Sequence, residues 1–196
     1  MKNKYDFLFA GVGGQGTILA SDILCEIGLR CGYDVKKSEV HGMSQRGGAV
    51  ESHVRWGEKV YSPLIEEGKT DFLLAFEMLE AARWPHYTAA NTVAIINRHQ
   101  ILPPSVNLGQ AQYPEEKEIE SILAGTGAKV VWVDGAAKAL ELGNAALGGV
   151  VLLGALSIYL DEPVEVWEKT IAELVPAKFK ELNIKAFQAG RELMQK

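Results

Sequence analysis

The stretch Phe7-Leu8-Phe9-Ala10-Gly11-Val12-Gly13-Gly14-Gln15-Gly16-Thr17-Ile18-Leu19-Ala20 decides how the chain opens. Residues 7–10 are a short apolar run ended by glycines, the pattern of a strand buried on both faces. From residue 15 to residue 30, Leu19, Ile23 and Ile27, with Ala20 and Leu24 beside them, line one helical face, and Gly32 suits the stop. The reading is strand, glycine loop, helix. Gly11, Gly13 and Gly16 fall in a G-x-G-x-x-G pattern at the junction where backbone amides and a helix N-terminus could receive a phosphate. A tight turn that holds no ligand, or one that docks a partner's backbone, would have the same glycines.

Working outward, an extended piece near Asp34–Val40 leads to the loop His41-Gly42-Met43-Ser44-Gln45-Arg46-Gly47-Gly48. Val50, Ser52, Val54 and Trp56 then alternate with Glu51, His53 and Arg55, predicting a half-exposed strand. Gly57-Glu58 matches a two-residue hairpin turn into residues 59–62. Buried strands are expected at 72–76, 93–96 and 130–133, with helices at 77–84, 114–123, 136–142, 145–160, 163–175 and 177–194. Strands alternating with helices imply an α/β fold: a doubly wound, mostly parallel Rossmann-like sheet with an antiparallel hairpin and a helical C-terminal third. Nothing marks a linker, so one domain over residues 1–196 is expected.

Composition narrows the functions. The 196 residues carry a net charge of -5, and no basic stripe suits nucleic acid. No apolar run reaches membrane-spanning length, and the run after residue 6 is too short for a signal-peptide core; a cytoplasmic chain with no membrane partner is expected. Two cysteines, Cys25 and Cys31, cannot hold a cubane cluster and read as core-filling thiols. Lys36-Lys37 stands where an NAD-binding fold would place a ribose-binding carboxylate, and the glycine loop lacks the lysine of a nucleoside-triphosphate loop. Glu77 and Asp134 each end a buried strand, a position that more often caps a helix than catalyses. No nucleophile, carboxylate pair or zinc spacing is legible.

The loop after the second strand should lie beside the first glycine loop at the carboxyl edge of the sheet. His41, Ser44, Gln45 and Arg46 supply hydrogen-bonding groups there, and Gly47 and Gly48 supply backbone freedom. The candidate site is therefore Gly11, Gly13, Gly14, Gln15 and Gly16 with His41, Ser44, Gln45, Arg46, Gly47 and Gly48. Arg46, able to clamp a phosphate or carboxylate, is the first candidate for a polar contact.

These segments resemble the gamma-type domain of pyruvate and other 2-oxoacid:ferredoxin oxidoreductases. The resemblance rests on Gly11–Gly16, on Arg46-Gly47-Gly48, on Asp71–Glu77, on Asn144 with Leu153-Gly154-Ala155-Leu156, and on Asn183 to Gly190. Residues 39–48 followed by Ser52-His53-Val54-Arg55 look like the indolepyruvate branch. The resemblance implies a small subunit completing an enzyme that decarboxylates an arylpyruvate oxidatively on thiamine diphosphate. Iron–sulfur clusters would pass the electrons to ferredoxin, and coenzyme A would accept the acyl group. It also implies that a large partner subunit carries the thiamine and cluster motifs. This sequence lacks both, since Val133-Asp134-Gly135 is not Gly-Asp-Gly and the cysteines are too few. This chain would then hold no catalytic residue or metal of its own, and its two glycine loops would face the partner or the diphosphate and adenine parts of a cofactor. The alternative is a free-standing coenzyme A or nucleotide-binding module with a regulatory role.

Overall fold

The computed structural model describes residues 4–41 and 48–195, His41 by its backbone alone. The chain runs β1 (Tyr5–Val12), α1 (Thr17–Arg30), β2 (Asp34–His41), β3 (Ala49–Gly57), β4 (Phe72–Ala75), α2 (Met78–Ala81) and β5 (Val93–Asn97). It continues through α3 (Pro104–Asn107), α4 (Glu116–Ala124), β6 (Lys129–Val133), α5 (Gly135–Glu141), α6 (Gly148–Ser157), α7 (Val164–Leu174) and α8 (Lys180–Leu193). Short 3-10 turns at 85–87, 145–147 and 177–179 join some of these.

One sheet of six strands has the order β2-β3-β1-β4-β5-β6. β1, β4, β5 and β6 pair in parallel, while β3 is antiparallel to both β1 and β2. Alternation along β1 divides the core in two. Phe7 and Phe9 face α1, α6, α7 and α8, while Leu8 and Ala10 face α2 and α4. The sheet is therefore covered on both faces, as the alternation of strands and helices predicts. α6 is apolar on every side and sits fully buried, all ten residues of it, between the sheet and α8.

Five sequence readings are corrected. Residues 59–62 form no strand: the antiparallel hairpin is β2–β3, and β3 already has a strand on each edge. The segment after Gly57 instead crosses the face of the sheet, held by Val60 N to Asp34 Oδ2 at 2.9 Å and by Arg55 Nη1 to the Ser62 and Leu64 carbonyls at 3.1 and 3.0 Å. For the same reason β3 is not half-exposed. His53 is buried, its Nδ1 accepting from Ile65 N at 3.2 Å, and burial holds its pKa below the usual histidine value. Leu19 also leaves the buried face of α1, which consists of Ala20, Ile23, Leu24 and Ile27. Among helices, 77–84 contracts to α2 plus a turn before Pro85, and 145–160 divides into a 3-10 turn and α6. α3, four residues long, has no periodic signature to reveal it.

Candidate functional site

The glycine loop occupies the carboxyl end of β1, at the centre of the sheet. Gly14 and Gly16 have φ of 103° and 80°, values in the left-handed region that favours glycine. Gly11 is required for space: a Cβ there would lie 2.7 Å from Thr17 Cγ2. Gln15 folds its amide back onto the loop, Oε1 accepting from Val12 N at 2.7 Å and Nε2 donating to the Phe76 carbonyl at 3.0 Å. Gly16 is the N-cap of α1 and has no side chain to bond the first-turn amides.

The second loop meets the first, as the strand order requires. Gly13 N donates to Gly48 O at 2.9 Å, and the β1–β3 register sets Val12 opposite Ala49. Gly48 is thus placed against the glycine loop, and the backbone of His41 pairs with Val50 of β3, whose other neighbour is Gly11 of β1. Ser44, Gln45, Arg46 and Gly47 lie outside the described residues.

Gln15 also belongs to a wall that the sequence did not announce. The Phe76 carbonyl accepts from both Gln15 Nε2 and Asn97 Nδ2, the latter at 3.2 Å, and Asn97 Oδ1 accepts from Ala136 N at 2.9 Å. Asn97 thereby joins the carboxyl ends of β4 and β5 to the first turn of α5. Beneath it, buried Glu77 caps α2 through Glu80 N at 3.0 Å and holds Ile101 N at 2.9 Å and the Tyr113 hydroxyl. Burial and the Glu77 carboxylate both push the Tyr113 phenol up. Segment 97–101 is further pinned by Met78 N donating to His99 O at 3.0 Å.

Between this wall and the glycine loop lies a cleft of about 410 Å³. Gly13, Gly14 and Gln15 line one side, Asn97, His99 and Ile101 another, and Leu140 with Ala145, Ala146, Gly148 and Gly149 the third; Phe76 forms part of the floor. Among the described residues His99 is its single ionisable lining residue, and no carboxylate lines it. Gly148 and Gly149 bring the N-terminal turn of α6 to its wall, opposite the glycine loop that leads into α1, so backbone amides and a positive dipole end meet a lining with no negative side chain among the described residues. Such a cleft can hold a ligand with an apolar body and an anionic end; the described residues that line it include no nucleophile and no acid–base pair. Asn97 and His99 escaped the sequence reading, although a polar residue closing the apolar run Val93–Ile96 was a visible sign. Asp134 points away, to Arg98 at 3.3 Å.

Cys25 and Cys31 are partly buried and packed against the core. Burial pushes the Cys25 thiol up to about 12, which keeps it protonated and a poor metal ligand. Among the described residues no three His, Cys, Asp or Glu side chains form a group able to hold a metal ion, and no helix is long and apolar enough to cross a membrane.

Residues 6–193 match the family described as pyruvate ferredoxin/flavodoxin oxidoreductase. The chain belongs to that family. It is of the gamma type, a small subunit among oxidoreductases of this family. It is 39% identical over 189 residues to the indolepyruvate oxidoreductase subunit IorB of Archaeoglobus fulgidus, covering 95% of this chain and 94% of that one. Among solved structures it is similar to the gamma subunit of a keto/oxoacid ferredoxin oxidoreductase from Geobacter sulfurreducens. There the TM-score is 0.71 at 26% identity, over 97% of this chain and 98% of the other. The 2-oxoglutarate:ferredoxin oxidoreductase of Magnetococcus marinus has the same fold, with a TM-score of 0.77 at 20% identity. All of this chain matches 32% of that longer one, so the same fold occurs there within a longer polypeptide.

Proposed function

We propose that this chain is the small subunit of an indolepyruvate (arylpyruvate):ferredoxin oxidoreductase, which oxidatively decarboxylates a 2-oxoacid to an acyl-coenzyme A. The observation that carries this reading is the end-to-end likeness to the Archaeoglobus indolepyruvate oxidoreductase subunit. The site's geometry supports it: the cleft is suited to bind and position, and the described residues that line it include no group to begin the chemistry. Thiamine diphosphate and iron–sulfur clusters do not suit this chain's residues. Its two thiols are partly buried against the core, and Asp134 follows Val133, the last residue of β6, rather than a glycine. Both groups are assigned to a large partner subunit, which passes electrons to ferredoxin, and the complex is placed in the cytoplasm.

Coenzyme A, which supplies the thiol that accepts the acyl group, suits the cleft better. The amides of the Gly11–Gly16 loop and of the α6 N-terminus would receive its phosphates, with no carboxylate among the described lining residues to repel them. Phe76, Ile101 and Leu140 offer apolar contact. Gly48 and the loop it closes, with His41, Ser44, Gln45, Arg46 and Gly47, would complete the mouth. The role of this chain is to orient the acceptor and exclude water.

The test is dye reduction. The purified chain should give no arylpyruvate-dependent reduction of a viologen, and activity should appear on adding the large subunit. Turnover by the chain alone would overturn the proposal. Calorimetric heat with coenzyme A in the absence of any partner would favour the alternative, a free-standing regulatory module.

A further inference from the structure

Among the described residues three polar side chains line the cleft: Gln15, Asn97 and His99. Two of them are committed to holding its walls. Gln15 has Oε1 on Val12 N and Nε2 on the Phe76 carbonyl, while Asn97 has Oδ1 on Ala136 N and Nδ2 on that same carbonyl. The oxygen and the nitrogen of each amide are therefore engaged within the fold. His99 differs: its half-buried imidazole makes no hydrogen bond, ion pair or ring contact among the described residues. Its backbone, by contrast, is fixed. His99 N donates to the Asn97 carbonyl at 2.7 Å, and the His99 carbonyl accepts from Met78 N at 3.0 Å. Two residues on, Ile101 N is held by Glu77 Oε1 at 2.9 Å. The charged groups of this neighbourhood are occupied elsewhere, Arg98 with Glu116 and Asp134, and Glu77 with Glu80 N and the Tyr113 hydroxyl. An imidazole without a partner, carried on a pinned segment, is a donor held ready for a group from outside.

We propose that His99 is a specificity-determining residue of the cleft, its imidazole N–H donating to a phosphate oxygen of the coenzyme A acceptor. The inference rests on the function proposed above and adds to it the side chain that recognises the acceptor. The wall itself sets the placement. Gln15 belongs to the glycine loop and shares its Phe76 acceptor with Asn97, two residues before His99, so the imidazole is borne by the segment that faces the loop. Amides of the glycine loop approach a phosphate from one side, and His99 supplies a directed donor from another. No lysine or arginine is among the described lining residues, which leaves His99 as the side chain there that meets a phosphate. An imidazole keeps at least one N–H whether neutral or charged, so the role requires no proton transfer. His99 binds the acceptor and takes no part at the reacting atoms.

The experiment uses the reconstituted complex of both subunits. Calorimetry without arylpyruvate gives the Kd of each acceptor, and viologen reduction gives KM and kcat. The acceptors are coenzyme A, dephospho-coenzyme A, which lacks the 3′-phosphate, and pantetheine, which has no phosphate. His99→Leu removes the donor and keeps an apolar side chain, while His99→Gln restores an N–H at about the reach of the distal ring nitrogen. His86→Leu, at an exposed histidine that does not line the cleft, is the control. The expected result is a rise of roughly 10-fold or more in Kd and KM for coenzyme A in His99→Leu. His99→Gln should recover most of it, and kcat, the KM for arylpyruvate and the affinity for pantetheine should not move. His86→Leu should match the unaltered complex. A rise kept with dephospho-coenzyme A assigns the contact to the diphosphate, and a rise lost with it assigns the 3′-phosphate; either supports the inference. Unchanged Kd and KM for coenzyme A in His99→Leu overturn this inference alone. A rise shared by pantetheine or arylpyruvate also overturns it, as lost structure, and so does a fall in kcat by itself, as a role at the reacting atoms. Urea unfolding of the free chain checks the leucine variant, and His99→Ala replaces it should it unfold. An unaltered complex that neither binds coenzyme A nor needs it for turnover would overturn the proposed function as well.

Discussion

At the scale of single residues, the wall of the cleft depends on Glu77. Its carboxylate accepts from Glu80 N, Ile101 N and the Tyr113 hydroxyl, joining three segments from within the core. Glu77→Ala removes a helix cap and leaves those donors without a partner, which should cost about 3 kcal/mol in urea unfolding. A loss below about 1 kcal/mol would show that water replaces the carboxylate. Next to it, burial pushes the Glu80 carboxyl up to about 7, opposed by Arg83 and reinforced by Glu77. The folded protein therefore holds a proton that the unfolded chain releases near pH 4.5. The resulting stability is fully present below pH 4.5 and is lost as pH rises through about 7. Glu80→Gln should flatten the fall in stability across that window by on the order of 3 kcal/mol. Parallel curves for variant and parent, measured by urea unfolding at a series of pH values, would refute this. Glu77 was legible from sequence as a capping carboxylate; Ile101 and Tyr113 were not, because nothing local announces a partner 24 or 36 residues away.

At the scale of elements, α6 and α8 approach so closely that no side chain fits between them at two points. A Cβ on Gly154 would lie 2.1 Å from the Phe187 carbonyl, and one on Gly190 would lie 2.0 Å from the Val151 carbonyl. Both obstacles are backbone, which cannot yield without parting the helices. At Gly149 the obstacle is the edge of the Phe76 ring, 2.8 Å away, which can turn. Gly190→Ala should therefore destabilise by about 3 kcal/mol or more, and Gly149→Ala by clearly less. Equal midpoints in thermal unfolding would contradict this ranking. Periodicity showed both helices, yet Gly154 and Gly190 gave no sign of touching. The Gly57-Glu58 turn misled for a related reason. A hairpin signal tests local geometry, whereas a strand at 59–62 also needs a free sheet edge, and β3 has none.

At the scale of the whole molecule, burial is uneven, and dynamics should follow it. α6 is sealed between sheet and helices, while α3 has no buried residue. Amide exchange should approach the global unfolding limit in the second half of α6 and in β4, and be fast throughout α3. Exchange in α6 as quick as in α3 would mean that the helical layer opens without the sheet. The cleft lies where these layers meet, at the carboxyl edge of the parallel strands.

The sequence by itself determined the strand–glycine loop–helix opening and the alternation that makes a doubly wound sheet. These are properties of neighbours along the chain: apolar period, glycine placement and residue type. Only the tertiary structure decided that β3 lies between β1 and β2, that Gly48 meets Gly13, and that Asn97 and His99 face the glycine loop. It also decided that Leu19 and Leu140 remain outside the core. Those facts depend on which edges and faces are still free once every other element has packed, and no local pattern records what distant elements cover.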